Sequence, residues 1–236
     1  MEPKVVVFDL FDTLIDVKRY DIEEAKRYLF EHYVNPKVSF ERFEEFNNQF
    51  AASHFIKRED TNKEYIYHDY LDELNMELGL IDDADFNEIE YRVFSSCNTL
   101  LVNDKTRVLL EYYRRKGIPL YILSNSIFGA YALKRRLGEL NVLNYFRDVF
   151  SSADFGYRKP DKRFFDYALT AIKGKINNIK ASDVLFIGND YAHDIVGAYN
   201  AGWTPVYYHH ENWETLPDKL LAVRVIKGFD ELYMIN

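Results

Sequence analysis

Cysteine is almost missing from this chain: Cys97 stands alone among 236 residues. A single thiol excludes an internal disulfide and a zinc site built from four cysteines. Histidine is sparse too. The six are scattered, and the pair His209-His210 is adjacent rather than at the helical spacing that converges on a metal. Long apolar runs are absent. No window approaches the ~20 apolar residues that span a bilayer, and the opening MEPKVVVF holds too short a run for a signal peptide. Positive charge is not in excess. Thirty Lys and Arg face 38 Asp and Glu, for a formal net charge of -8, with no basic patch of the kind nucleic acid requires. The expectation is a cytoplasmic protein that binds neither nucleic acid nor membrane.

A hydrophobic content of 47% supports one substantial core, or one core plus a smaller appended unit. The 19 Tyr and 18 Phe read as core bulk. RYDIEEAKRYLFE mixes both signs, as a solvated helix face does. No repeat or low-complexity segment interrupts the chain.

Residues 4–9 form a continuous apolar run ending in a carboxylate, the pattern of a strand buried on both faces of a parallel sheet. The next segment, to about residue 97, changes rhythm. Phe40, Phe43, Phe46 and Phe50 recur at steps of three and four, and so do Tyr67, Leu71, Leu74 and Leu78 before Gly79. Phe86, Ile89, Val93 and Phe94 make a third stripe, and the polar KREDTNKE (57–64) reads as a connection. This block shows no convincing strand and predicts a helical insertion over 15–97. From 103 onward helices alternate with strands. Helices are expected at 105–116, 128–140, 161–173 and 191–201. The strands are IPLYILSNS, VFSS, DVLFIGND and TPVYYH, and LLAVRVIKGFDELYMI closes with a strand and a short helix. The alternation predicts a doubly wound parallel α/β sheet built from residues 1–14 and 98–236.

Ligands bind such sheets beyond the carboxyl ends of the strands. The first strand ends in Asp9. IPLYIL ends in Ser124-Asn125-Ser126. VFSS runs on into FGYRKPDKRFF, which carries Lys159. DVLFIG ends in Asn189-Asp190, with Asp194 four residues on. Each has a structural explanation taken singly: a turn cap, a helix N-cap, a solvated loop, charges at a helix start. Four in order, each at a strand end, point to a site.

These residues carry a family resemblance. FDLFDTL resembles the first motif of the haloacid dehalogenase superfamily, an apolar strand into D-x-D-x-T, here with Asp9 and Thr13. LYILSN resembles its second at Ser124, and RKPDKRFF its third at Lys159-Pro160. IGNDYAHDIVGAYNAGW resembles its fourth, with Gly188, Asp194, Gly197-Ala198 and Ala201-Gly202 in register. The resemblance implies a Rossmann-like core with a helical cap inserted after the first motif. It also implies a hydrolase of a small phosphorylated metabolite, in which Asp9 attacks phosphorus and an aspartyl-phosphate is hydrolysed, with Mg2+ offsetting charge repulsion. The candidate catalytic set is Asp9, Ser124, Asn125 and Lys159. The candidate metal set is Asp9, the Phe11 carbonyl, Asn189, Asp190 and Asp194, with the crowding of Asp9, Asp190 and Asp194 favouring a cation.

Two positions depart from the phosphatase pattern. Phe11 stands where the family's phosphatases carry a second Asp, which protonates the leaving oxygen and later activates water. Asn189 stands where the fourth motif begins with Asp. The family's 2-haloacid dehalogenases carry an aromatic at the Phe11 position, and their halide leaving group needs no proton. Three readings follow: a Mg2+-dependent phosphatase, a metal-independent 2-haloacid dehalogenase, and a catalytically weak binding or regulatory member of the fold.

Overall fold

The computed structural model describes residues 2–81, 85–209, 221 and 223–233, with the backbone alone for 55–60. His210 and parts of the last expected strand and helix lie outside the described residues.

Strand β1 (Val5–Phe8) is wholly buried. Successive side chains leave a strand on opposite faces, and here they feed two cores. Val6 and Phe8 pack into one cluster, Val5 and Val7 into the other. This explains why the run is apolar at every position rather than at alternate ones. Beyond β1 comes β2 (Asp16–Tyr20), then helices α1 (Ile22–Tyr33), α2 (Phe40–Thr61), α3 (Tyr67–Glu77) and α4 (Phe86–Cys97), then β3 (Asn98–Leu101). Asp21, Ser39 and Asp85 accept main-chain N–H bonds at the starts of α1, α2 and α4, as N-caps do. Most of the three apolar stripes forms the buried faces of α2, α3 and α4, but Phe40 is exposed and Leu78 and Phe86 are only partly buried.

The helical block is not free of strands. β2 pairs antiparallel with β3, Asp16 opposite Leu101. DVKRY is largely exposed and charged, so it carries no alternating apolar signal. The connection expected at 57–64 is helical through Thr61, where Asn62 ends α2 in a left-handed conformation.

The rest follows as α5 (Asp104–Arg115), β4 (Leu120–Ser124), α6 (Ala130–Glu139), β5 (Phe146–Ser151), α7 (Ser152–Phe155), α8 (Lys162–Lys175) and β6 (Val184–Gly188). A π-helical turn (Tyr191–Ile195), α9 (Val196–Asn200), β7 (Thr204–Tyr208) and β8 (Arg224–Ile226) complete it. The six sheet strands are parallel, in the order β5-β4-β1-β6-β7-β8. The fold class is α/β with a doubly wound parallel sheet. Among the described residues no helix is long and apolar enough to cross a membrane.

Candidate active site

Four neighbouring strands deliver the site, β1, β4 and β6 from their ends and β5 through α7 and the segment that carries Lys159. β1 lies between β4 and β6, with Phe8 opposite both Ile122 and Ile187. Asp9 extends the ladder by one bond, its N–H donating to the Ile187 carbonyl at 2.9 Å. The chain then turns sharply. Asp12 adopts a left-handed φ of 57°, and its carboxylate accepts the Val17 N–H. Asp12 therefore shapes the turn into β2.

Lys159 is the centre of the charge arrangement. Its ammonium donates to Asp9 Oδ1 and to Asp194 Oδ1, both at 2.6 Å. Lys159 and Asp194 are each 1% exposed, so neither charge could be held there without the other. Burial pulls the Lys159 ammonium down, but the two carboxylates outweigh it and the net shift is upward. Asp194 is pushed up to about 7, first by burial, with Asp9 adding to it against the pull of Lys159. The main chain holds this triad closely. A Cβ on Gly188 would lie 2.4 Å from Asp194 Oδ2, and one on Gly197 would lie 2.7 Å from the Phe165 ring and 3.0 Å from Pro160 Cα. Glycine at both positions lets the fourth motif close onto the segment that carries Lys159.

The other expected residues divide. Ser124 lies one strand over from Asp9. It is fully buried, and its hydroxyl has no hydrogen-bond partner among the described residues. Asn125 does not reach the reacting atoms with its amide. It clamps the Lys159 main chain, donating to the carbonyl at 3.0 Å and accepting from the N–H at 2.8 Å. Its geometry is that of a residue positioning Lys159. Asn189 sets its carboxamide against Thr13 Oγ1 (2.8 Å), the Phe11 carbonyl (3.2 Å) and Asp9 Oδ2 (3.2 Å); with the nitrogen on that side, its two N–H groups are shared among these oxygens.

Asp190 corrects an expectation. Its two carboxylate oxygens are taken by His193, through the ring at 2.7 Å and the main-chain N–H at 2.9 Å. Although partial burial opposes it, this pairing brings the Asp190 carboxyl down to about 2. Among the described residues no three carboxylate, histidine or cysteine side chains converge as a metal-binding group. The expected crowding of Asp9, Asp190 and Asp194 around one cation does not form. Lys159 separates Asp9 from Asp194, and Asp190 is engaged as a helix cap.

A hard cation still has a fitting donor set of another kind. Asp9 Oδ2, left free by Lys159, meets the Phe11 carbonyl and the Asn189 carboxamide, which offers its oxygen after a half-turn. One carboxylate with neutral oxygens, completed by water and substrate phosphate, is how Mg2+ is commonly held.

Sequence reasoning missed Glu64. It sat in a segment read as a polar connection, yet it is buried and accepts the Ser152 hydroxyl at 2.6 Å. Ser152 Oγ accepts the Ser126 N–H at 2.9 Å, so the helical block reaches the loop after β4. Nothing in the local sequence marks a buried glutamate, because its partner lies 88 residues away.

A cavity of about 350 Å³ adjoins the site. Phe11 and Asn125 line it together with Phe94, Leu100, Ile127 and Phe128.

Comparison with known proteins decides the family. The haloacid dehalogenase-like hydrolases match residues 3–202. The chain belongs to that family. It is 25% identical over 233 residues to the putative HAD-hydrolase YfnB of Bacillus subtilis, covering 98% of this chain and 94% of the other. A YfnB structure bound to magnesium superposes with a TM-score of 0.57, at 23% identity over 100% of this chain and 99% of the other. A glyceraldehyde 3-phosphate phosphatase of Methanothermobacter thermautotrophicus is 25% identical over 252 residues, 97% of each chain. A 2-haloacid dehalogenase of Pseudomonas syringae pv. Tomato superposes with a TM-score of 0.66, at 21% identity over 98% of this chain and 96% of the other. This chain is thus a hydrolase enzyme of a family whose members include phosphatases and dehalogenases.

Proposed function

We propose that this hydrolase cleaves a small phosphomonoester with Mg2+, through an aspartyl-phosphate on Asp9. The observation that carries this reading is the Ser124 hydroxyl, buried one strand from Asp9 with no hydrogen-bond partner among the described residues. A buried hydroxyl left unpaired costs about 1–3 kcal/mol, which a phosphoryl oxygen accepting its hydrogen bond would offset. Asp9 attacks phosphorus. Lys159 neutralises charge on Asp9 and on the phosphoryl oxygens. Asp194 holds Lys159 from the far side, and Asn125 fixes its main chain. Asp9 Oδ2, the Phe11 carbonyl and Asn189 would hold the cation, which lowers the repulsion between a carboxylate and a phosphate dianion.

Residues 15–97 serve in this reading as a cap over a core of 1–14 and 98–236, with the β2–β3 ribbon joining the two. The substrate is a small phosphorylated metabolite, and the expected compartment is the cytoplasm. The phosphatase relative and the magnesium-bound YfnB support this reading.

Metal-independent attack on the carbon of a 2-haloacid is the second reading. It is favoured by Phe11 and by the Asn189 amide, which satisfies Asp9 Oδ2 without a cation. Against it, no charged side chain among the described residues lines the adjoining cavity to receive the carboxylate of a haloacid. The two separate by assay. The phosphatase reading expects release of phosphate from p-nitrophenyl phosphate, abolished by EDTA and by Asp9→Asn. Halide release from 2-chloropropionate that is indifferent to EDTA would replace it with the second. Neither activity above the Asp9→Asn control would leave a binding or regulatory role.

A further inference from the structure

Phe11 presents two surfaces. Its carbonyl belongs to the site, 3.2 Å from the Asn189 amide. Its ring stands edge-on to Phe94 at 6.2 Å and lines the 350 Å³ cavity. Phe94 in turn packs on Phe128, ring centroids 4.7 Å apart, and Leu100 closes the same wall. The two carboxamides there are already engaged. Asn98 donates to the Phe94 carbonyl and accepts from Arg136, and Asn125 is clamped on Lys159. Among the described residues no carboxyl or imidazole group lines the cavity to protonate a leaving oxygen, and Tyr20, the one phenol in its lining, is half exposed.

That combination restricts the leaving group. A general acid contributes roughly 10²–10⁴-fold to such a step. Without one, the departing oxygen must carry its own negative charge. A phenol, like the tyrosine side chain, ionises at about 10; an aliphatic alcohol ionises far more reluctantly, much as water does. An aromatic-walled cavity of this size accepts a planar ring in edge or offset contact.

Within the phosphatase reading on which it rests, we propose that the substrate is an aryl phosphomonoester, its ring seated against Phe11, Phe94 and Phe128. A carboxylate oxygen of Asp9 bonds to phosphorus as the bond from phosphorus to the aryl oxygen breaks. The electron pair leaves on that oxygen as phenolate, which takes a proton from solvent. Water then attacks the aspartyl-phosphate. The bond from phosphorus to Asp9 breaks with its pair returning to the carboxylate, inorganic phosphate departs, and the proton of the water goes to solvent.

The test is a leaving-group series of p-nitrophenyl, phenyl and glycerol phosphates, read as kcat/KM with Mg2+ present. The wild-type chain should prefer phenyl over glycerol phosphate by at least ~100-fold. Phe11→Asp should raise the glycerol phosphate value ~100-fold more than the phenyl value, by supplying the acid. Phe11→Leu, apolar and without an acid, should keep the steep dependence. Phenyl phosphate should bind the Asp9→Asn protein in calorimetry with at least tenfold higher affinity than glycerol phosphate. Equal wild-type rates for aryl and alkyl esters would overturn the inference and leave the phosphatase reading standing. So would a lack of preference in binding to Asp9→Asn, which needs no folded Phe11 variant. Rapid hydrolysis of acetyl phosphate with phenyl phosphate refused would overturn the seating of the ring. Turnover of no phosphate ester above the Asp9→Asn control would fell the phosphatase reading and the inference with it.

Discussion

Asn189 differs from aspartate by an NH2 in place of an oxygen, and that exchange reverses how the group meets Asp9. A carboxylate there would repel Asp9 unless a cation lay between them. The carboxamide instead donates to Asp9 Oδ2 and the Phe11 carbonyl across 3.2 Å, so both acceptors are satisfied with no metal bound. A cation must displace these bonds, turn the amide over and accept a neutral ligand in place of a charged one. Asn189→Asp should therefore tighten Mg2+ binding by at least tenfold in isothermal titration, a readout independent of turnover. It should also lower the melting temperature of the metal-free protein, where three acids would then face one lysine. Equal Mg2+ affinity in the two proteins would remove Asn189 from the cation site. At this scale the sequence was legible where a motif fixed both identity and strand end, as for Asp9, Lys159 and Asp194. It was not legible where a polar side chain chose among several partners. Asn125 turned to the Lys159 main chain, a choice of loop geometry that no spacing encodes, and Asp190 took the local cap on His193 three residues on.

At the level of elements, the buried ones announced themselves. β1, β4 and β6 are apolar at nearly every position because both faces are covered, and α3 and α4 show clean stripes because one face is. β2 was invisible because an exposed ribbon strand needs no apolar alternation. The contact between α4 and α6 gives a pH prediction. Glu90 on α4 is buried and accepts the Gly129 N–H at 2.7 Å, just ahead of α6. His68 of α3 stands 3.2 Å away, and Asp154 of α7 caps the neighbouring Ala130 N–H. Burial raises the Glu90 carboxyl from 4.5 to about 6, against the pull of the Gly129 bond and His68. A raised acid contributes stability that is full below its unfolded value and lost as pH rises through its folded value. The loss therefore falls between pH 4.5 and somewhat above 6, and amounts to about 2 kcal/mol. Glu90→Gln keeps an acceptor for Gly129 and cannot ionise. In urea unfolding its stability relative to wild type should climb by about 1–2 kcal/mol from pH 4.5 to 7. A difference that stays constant over that range would show that Glu90 does not titrate there.

Across the whole molecule, two of the contacts between the helical block and the strand ends frame the site. The β2–β3 ribbon is a covalent and hydrogen-bonded root. The second contact is a strap at residues 62–64. The Arg158 N–H donates to the Asn62 carbonyl at 2.9 Å, and the Glu64 N–H donates to the Gly156 carbonyl at 3.0 Å. Glu64 then reaches inward to Ser152, with the Arg158 guanidinium 3.9 Å from the same carboxylate oxygen. The strap thus grips the residues immediately before Lys159. The helical block and the segment that carries Lys159 are linked by main-chain bonds as well as by packing, so loosening the strap should be felt at the site. Hydrogen bonds to a buried carboxylate are worth about 1.5–3 kcal/mol. A double-mutant cycle of Glu64→Ala and Ser152→Ala in urea unfolding should therefore show a coupling of about that size. Each single variant should also lower kcat/KM, because Arg158 and Lys159 are adjacent in the chain and Lys159 must stay within 2.6 Å of both carboxylates. Additive stability effects would show that Glu64 and Ser152 do not act as a pair. Full activity in a protein that has lost the coupling would confine the strap to holding the block, with no hand in placing Lys159.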